Sequence, residues 1–293
     1  MRSEWEAQRR EAVAITLYHQ QALEQLAGAF EARSIPFILL KGEALSKRFY
    51  PEDGVRPYDD MDLLIKPDVY DEARAILTEL GFRSRRPAVE VEKRALFGEV
   101  EFDREGPRTL TVDLHWDTLM ASWQPPSLLS DAGVWSAPDR TSIGQRAVPV
   151  LGGEILFLYL CIHFAFHHVL DGLILLCDLF LVLLREGARI DWDRLLRMAG
   201  RYQCRTAVYY ALTCVNLLLG AGAPSPILAR MRPTAAIRFL MPTNRLLFRD
   251  TPVPQMVERY VKFLLIDTHE GRFRAVRAWL QSSKPLLVGR RSL

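Results

Sequence analysis

The fold of this 293-residue chain is decided by one stretch, Arg56-Pro57-Tyr58-Asp59-Asp60-Met61-Asp62-Leu63-Leu64-Ile65. It alternates polar and apolar residues at first and then turns apolar, which predicts a buried strand over 60–65. Asp60 and Asp62 lie two residues apart, so both carboxylates project from one face of that strand. Clustered carboxylates repel one another unless cations neutralise them, and the stretch therefore predicts a cation-binding strand.

The residues before this strand predict a phosphate-binding loop. The apolar run 37–40 predicts another buried strand, which follows a helix over 4–33 and leads into a helical segment ending near residue 50. The start of that segment would offer backbone N–H groups to a phosphate. Gly42 would allow close approach, and Lys41 and Arg56 would add charge-assisted contacts. Alternatively, Lys41 and Arg56 have no ligand and are simply charged residues at the end of a strand or in a loop.

A third carboxylate is expected from the strands that follow. After a helix over 68–80, residues 94–103 and 109–116 predict two strands joined by a turn. Asp113 and His115 fall on one face of the second strand, and apolar residues fall on the other. If this strand pairs with 60–65, Asp113 joins Asp60 and Asp62. Oxygen-only ligands suit Mg²⁺ or Mn²⁺, and His115 would be placed to contact substrate.

The second half of the chain has a different character. Residues 121–150 are expected to be irregular because they contain four prolines, and helices are predicted over 154–169, 172–186, 191–202, 205–220, 254–268 and 270–282. The pattern predicts an α+β protein with a mixed domain over 1–150 and an all-α domain over 151–293.

Charge and composition narrow the functional classes. Residues 1–150 carry 19 Lys/Arg against 25 Asp/Glu, whereas the remainder carries 19 against 10. The basic C-terminal part would suit an RNA acceptor, although a solvated helix face and tail is favoured. Four cysteines without a C-x-x-C pair, and a charged N-terminus without an apolar core, favour a cytoplasmic protein. The longest uncharged stretch, 155–170, is too short and polar to span a membrane.

Two histidines one helical turn apart offer a second candidate site. His163 and His167 share a helix face, and Asp178 follows on the next predicted helix. Zinc uses such spacing, but the stretch H-F-A-F-H lacks the glutamate of the zincin motif. Histidines that hydrogen-bond across helices are therefore favoured over a metal site.

These motifs together resemble a bacterial nucleotidyltransferase family of the polymerase-β superfamily. Its members show an L-K-G loop, an R-x-x-x-D-x-D-L-L-V strand and a V-D-x-H-W strand in this order, here at residues 40–42, 56–65 and 112–116. Leu160 with His163 and His167 matches a family helix of the form L-x-x-H-x-x-x-H. The stretches 177–179 and 190–192 match later family segments.

The resemblance implies a nucleotidyltransferase palm, a mixed sheet flanked by helices, followed by a helical domain. It also implies two-metal transfer of NMP from an NTP. Asp60 and Asp62 would then ligate the metals, and Asp113 would be the third carboxylate, acting as base or ligand. The loop 41–43, with Arg56, would bind the nucleotide. Glu43 stands where the wider superfamily has Gly or Ser, and an ionised carboxylate cannot donate to phosphate.

The expected substrate class follows from this resemblance. We expect transfer of a nucleotide, AMP above all, to a hydroxyl or phosphate of a small molecule or peptide, as in natural-product biosynthesis. His115, His163, His167 and Asp178 would face that acceptor. One alternative is a toxin-type enzyme that modifies tRNA or protein. Another is an inactive partner-binding module, which the unusual Glu43 would support. There is no Walker A loop, G-x-S-x-G elbow or G-x-G-x-x-G motif.

Overall fold

A mixed seven-stranded sheet forms the centre of the first half of the chain. The computed structural model describes residues 2–85, 98–117, 127–220, 223–241 and 254–282. The strands are β1 (Phe37–Leu39), β2 (Asp60–Ile65), β3 (Arg83–Ser84), β4 (Glu99–Arg104), β5 (Leu110–His115), β6 (Asp139–Ile143) and β7 (Arg146–Val150). Their order across the sheet is β3-β4-β5-β2-β1-β7-β6.

Helices precede, interrupt and follow this sheet. The helices of the first half are α1 (Arg2–Ala32), α2 (Glu43–Phe49), α3 (Tyr70–Glu79) and α4 (Ala132–Ser136). Those that follow the sheet are α5 (Gly153–Ile162), α6 (Leu173–Glu186), α7 (Trp192–Arg201), α8 (Arg205–Leu219), α9 (Ser225–Met231), α10 (Ala235–Leu240), α11 (Gln255–Leu265) and α12 (His269–Ser282). The α+β class is thus confirmed. The division into domains at residue 150 stays a prediction.

Strand pairing brings the two acidic motifs side by side. β2 runs parallel to β5, and the register places Asp62 directly opposite Asp113. β4 continues the sheet beyond β5 as an antiparallel neighbour, with Glu99 opposite His115. Because side chains alternate along each strand, the acidic groups of β2, β4 and β5 share one face of the sheet.

Each face of the sheet packs against its own set of helices. Leu39 and Leu63 lie in a core with α1 and α3, whereas Ile38 and Leu64 lie in a core with α5 to α8. Leu64 has the same strand parity as Asp60 and Asp62. The carboxylates of β2 therefore face the helices of the second half.

The expectation that residues 121–150 are irregular was wrong for the short helix Ala132–Ser136 and for 139–150. β6 and β7 form an antiparallel hairpin in which Ile143 pairs with Arg146. The two-residue loop between them begins with Gly144 at φ 57°, a conformation that suits a tight hairpin turn. Pro149 stands near the end of its strand, where a missing N–H costs little. Residues 121–126 of this segment, and 94–97 of the earlier predicted strand, lie outside the described residues.

The predicted helix over 154–169 also changes form partway. α5 ends at Ile162, and a single π-helical turn follows over His163–His167. Val169 and Leu170 then adopt φ values of 54° and 61°, a left-handed conformation that is unfavourable for side chains of this kind. The described helices include none that is long and apolar enough to cross a membrane.

A buried ion pair ties the loop before β2 to helix α6. The Arg56 guanidinium donates two hydrogen bonds of 2.7 Å to Asp178, which also accepts one of 2.8 Å from the Tyr50 hydroxyl. The side chains of Arg56 and Asp178 are 5% and 0% exposed. Removing one partner of such a pair leaves an uncompensated charge inside the protein.

We therefore expect Asp178→Ala to lower the free energy of unfolding by about 3–5 kcal/mol, because Arg56 stays buried without its partner. Urea denaturation followed by circular dichroism would measure this loss. Asp193→Ala is the control, since it breaks an ion pair with Arg230 whose partners are 59% and 63% exposed. That variant should lose less than about 1 kcal/mol. Equal losses in both variants would contradict the role assigned to the buried pair.

Candidate active site

Three aspartates meet at the centre of the sheet face that the helices cover. Asp62 and Asp113 are neighbours in the parallel ladder, and Asp60 precedes them on β2. Ligand atoms of Asp62, Asp113 and His115 all lie within 4.8 Å of one another. Asp62 is almost fully buried, whereas Asp60 and Asp113 are partly accessible.

Lys41 neutralises the first two carboxylates. Its Nζ lies 2.7 Å from Asp62 Oδ2 and 3.1 Å from Asp60 Oδ2, and its side chain is only 13% exposed. Burial alone would lower the pKa of Lys41, but the two carboxylates raise it above its ordinary value. The lysine therefore carries a full charge at the base of the site.

His115 is the second cation of the cluster. Its Nε2 lies 3.0 Å from Asp62 Oδ1 and its Nδ1 lies 3.1 Å from Glu99 Oε2. Burial lowers the pKa of His115, but the hydrogen bond and charge of Asp62 outweigh it, followed by Glu99, so the pKa is raised. Because both ring nitrogens face carboxylates, the geometry favours a protonated imidazole that donates to each of them.

The three aspartates respond differently to this environment. Burial would raise the pKa of Asp62, but Lys41 and His115 hold it below its usual range. Burial and then the charge of Asp62 raise the pKa of Asp113 to about 7. The same two causes raise the pKa of Asp60. Asp62 is thus held ionised, whereas the pKa of Asp113, its neighbour on the adjacent strand, lies near neutral pH.

The donor set fits a divalent cation. Asp60, Asp62 and Asp113 supply only carboxylate oxygens, which Mg²⁺ and Mn²⁺ prefer. In the part of the chain that the structure describes, the buried Oδ1 of Asp113 accepts no hydrogen bond. A buried acceptor without a partner is unfavourable unless a cation or a hydroxyl group reaches it.

A cleft of about 310 Å³ opens above these residues. One wall is the acidic sheet face with Lys41 and Gly42. The opposite wall comes from α5, the π-helical turn and the start of α6, and its lining residues carry no carboxylate: Tyr159, Ile162, His163, Phe166, His167, His168, Ile174 and Leu175. The site is therefore a cleft between an acidic wall and an aromatic, imidazole-bearing wall.

Three histidines crowd the helical wall. His163 stacks on His167 with ring centroids 4.9 Å apart, and its Nε2 lies 3.2 Å from the Nε2 of His168. Burial, and then the charge of Lys41, lowers the pKa of His163 well below its ordinary value. The pKa values of His167 and His168 are lowered as well, again first by burial. The imidazoles are therefore neutral near pH 7, each with one donor and one acceptor.

The loop before α2 has a glycine where its backbone requires one. Gly42 has φ 59°, and an added Cβ would lie 3.4 Å from the carbonyl oxygen of Asp60. Glu43 follows but does not line the cleft, since its side chain is buried and accepts a hydrogen bond from the Tyr58 hydroxyl. Burial raises the pKa of Glu43. The unusual residue of this loop thus points away from the space that a nucleotide would fill.

The structure brings most of the predicted site residues to one cleft. Lys41, Gly42, Arg56, Asp60, Asp62, Asp113, His115, His163 and His167 all line it. Asp178 does not, because it is buried against Arg56, and the same pair occupies the Arg56 guanidinium. A zinc site combining Asp178 with the two histidines is therefore not formed. Asp59 lines the cleft as well, and its carboxylate pairs at the surface with Arg108.

Several residues of the cleft were not assigned to the site from the sequence, among them Glu99, His168 and Tyr159. Glu99 lies inside the predicted strand 94–103, and its alternation with Glu101 and Asp103 on β4 could have placed all three on the acidic face, with Glu99 beside His115. His168 directly follows the π-helical turn, and its Nε2 lies 3.2 Å from His163 Nε2. Tyr159, which stacks on His163, looked like an ordinary core residue of α5.

Comparison with protein families agrees with this geometry. A family model described as an uncharacterised nucleotidyltransferase matches residues 1–220. The chain belongs to this family. It is therefore a nucleotidyltransferase, an enzyme that transfers a nucleoside monophosphate, and the resemblance found in the sequence is confirmed.

Two solved structures are similar to part of this chain, with low sequence identity. A solution structure of the antibiotic-resistance factor ANT(2'')-Ia shares 17% identity at a TM-score of 0.46, covering 64% of this chain and 94% of that one. A crystal structure of ANT(2'')-Ia with adenylyl-2''-tobramycin shares 17% identity at a TM-score of 0.43, covering 64% and 97%. The search of curated proteins found no match.

The depressed pKa of His163 predicts acid sensitivity. The unfolded chain binds a proton near pH 6.5 that the folded chain does not, so stability is full above this pH and falls as the pH is lowered. The contribution is at most about 1.4 kcal/mol per pH unit. We expect His163→Gln to show a shallower loss of unfolding free energy between pH 7 and pH 5 than the wild type, measured by urea denaturation.

His269→Gln serves as the control, because His269 is exposed at the start of α12. Its stability should follow the pH dependence of the wild type. If His163→Gln and the wild type lose the same free energy over this range, His163 is not held neutral in the fold.

Proposed function

We propose that this chain transfers a nucleoside monophosphate, AMP above all, from an NTP to a hydroxyl or phosphate of a small molecule or peptide. One observation carries the proposal: the parallel register of β2 and β5 sets Asp62 against Asp113, with Asp60 beside them, at the floor of a cleft that also holds Lys41 and Gly42. A phosphate loop beside clustered carboxylates is the layout that nucleotidyl transfer requires.

Each residue has a role in this reaction. Asp60, Asp62 and Asp113 would hold Mg²⁺ or Mn²⁺, which when bound acts as a Lewis acid on the transferred phosphoryl group. Lys41 and the backbone at Gly42 would contact the NTP phosphates. Asp113 would accept the proton of the acceptor hydroxyl at its unpartnered Oδ1. The acceptor oxygen bonds to the α-phosphorus as the bond to pyrophosphate breaks.

The helical wall is the proposed acceptor side. His163 and His167 face the carboxylates across the cleft, together with His168. Neutral imidazoles next to Tyr159 and Phe166 suit an uncharged, hydroxyl-bearing group, because each ring offers one donor and one acceptor. His115 would hold Asp62 in position through the contact between its Nε2 and Asp62 Oδ1. Such an acceptor fits natural-product tailoring in the cytoplasm, where the four free cysteines would stay reduced.

Two alternatives receive less support from the structure. A toxin-type enzyme acting on tRNA or protein rests on the basic C-terminal part, of which residues 283–293 lie outside the described chain. An inactive partner-binding module rested mainly on Glu43, whose side chain is buried away from the cleft. The intact carboxylate set favours an active enzyme over that module.

Nucleotide binding is the first test. Calorimetry with each NTP, with and without Mg²⁺, should show Mg²⁺-dependent binding of one NTP to the wild type. Asp60→Asn/Asp62→Asn should lose this binding because the cation loses its ligands. Asp68→Asn, at an exposed residue shortly after β2, is the control and should bind like the wild type. Unchanged binding by the double variant would place the nucleotide elsewhere.

Asp113→Asn separates binding from chemistry. We expect it to weaken Mg²⁺-dependent NTP binding less than the double variant does, because Asp60 and Asp62 still hold the cation, and to slow transfer by about 10²–10⁴, the usual contribution of a general base. Transfer can be followed as α-³²P label entering an acceptor in a small-molecule extract of the source cells, with pyrophosphate release as the second readout. Transfer at the wild-type rate would remove Asp113 from the reaction.

A further inference from the structure

Lys41 occupies the position where a cation bound by the β2 carboxylates would have to be. Its Nζ contacts Asp62 Oδ2 at 2.7 Å and Asp60 Oδ2 at 3.1 Å. The other oxygen of Asp62, Oδ1, is engaged by His115 Nε2 at 3.0 Å. Both oxygens of Asp62 thus already have a positively charged partner. A divalent metal bound to Asp62 would lie close to one of these two charges, and the repulsion between them favours displacement of that partner.

The histidine is the less movable of these partners. Its second nitrogen, Nδ1, lies 3.1 Å from Glu99 Oε2, and its strand lies between β4 and β2 in the sheet. The lysine is held differently. Its charge sits at the end of a flexible four-carbon chain, and it comes from the loop between β1 and α2. Lys41 is therefore the group that can leave with least disturbance.

We propose that Lys41 is an internal counter-ion that keeps the carboxylate pair closed to metal alone and is released when a metal–nucleotide complex arrives. The inference rests on the proposed function and assigns a control step to the same site. Metal alone would have to displace a buried ammonium without bringing a new anionic partner for it. Metal that arrives with an NTP brings phosphate oxygens, to which the displaced ammonium transfers.

This arrangement makes binding of metal and nucleotide cooperative. Each ligand removes an obstacle to the other, because phosphate draws Lys41 from the carboxylates and the metal replaces its charge there. An enzyme built in this way does not hold metal in its resting state. It also avoids a cluster of uncompensated carboxylates, since the lysine supplies the missing charge.

Mn²⁺ binding tests the proposal without relying on turnover. Electron paramagnetic resonance of free Mn²⁺ should show weak binding to the wild type by metal alone, and much tighter binding with α,β-methylene-ATP. Lys41→Met should bind Mn²⁺ alone at least about tenfold more tightly than the wild type, with less gain from the nucleotide. Lys66→Met, at an exposed lysine directly after β2, should match the wild type. Asp62→Asn should abolish binding in both conditions.

A second measurement covers the case in which Lys41→Met is poorly folded. Without metal, the carboxylates of this variant keep only His115 as a cationic partner, so its Tm should be lowered, and Mn²⁺ alone should raise its Tm more than that of the wild type. If Lys41→Met does not fold at all, Mn²⁺ binding by the wild type with and without the nucleotide analogue still tests the proposal. Binding of Mn²⁺ alone as tightly as with the nucleotide analogue would overturn the proposal.

The outcomes separate this inference from the proposed function. Nucleotide-dependent Mn²⁺ binding by the wild type, with a folded Lys41→Met variant that binds metal alone no more tightly, would overturn the counter-ion role and leave the transferase proposal standing. A wild type that binds neither Mn²⁺ nor the nucleotide analogue in any condition would overturn both.

Discussion

Electrostatic repulsion between carboxylates on neighbouring parallel strands is the constraint on which the rest of the structure depends. The ladder sets Asp62 opposite Asp113, and Asp60 adds a third negative charge on the same face. Without compensation this arrangement would oppose folding. Lys41 from the preceding loop and His115 from β5 provide the positive charge. The fold therefore supplies a charged, solvent-accessible floor together with the groups that make it stable.

Strand parity explains why this floor opens into a cleft. The odd-numbered residues of β2, which alternate with the carboxylates, pack against α1 and α3, whereas Leu64 packs toward α5 to α8. The same alternation that buries one face thus directs the acidic groups at the helices of the second half. The ion pair between Arg56 and Asp178 holds the loop before β2 against α6. The site depends on contacts between both halves of the chain.

The sequence predicted what depends on local pattern. The D-x-D strand, the strand with Asp113, the glycine loop and most helices followed from alternation, spacing and resemblance. It could not predict how charges pair across the fold. Arg56 meets Asp178, and Glu43 turns inward to Tyr58, because of packing between segments that are distant in sequence. The hairpin over 139–150 was not predicted, because the four prolines of residues 121–150 indicate irregular structure more strongly than the stretch Ile143-Gly144-Gln145 indicates a turn. The π-helical turn has no local signature.

The left-handed residues that end the π-helical turn have a consequence for how this enzyme family can diversify. Val169 and Leu170 store conformational strain directly after the three histidines, and both side chains are buried in the helical core. Within the segment 163–168, His163, Phe166, His167 and His168 line the cleft, whereas Phe164 and Ala165 are buried in the core. Because this wall is the proposed acceptor side, substitutions at those four positions would alter the recognised molecule without touching the acidic face of the sheet. Substrate choice would then diverge through four codons of one short segment.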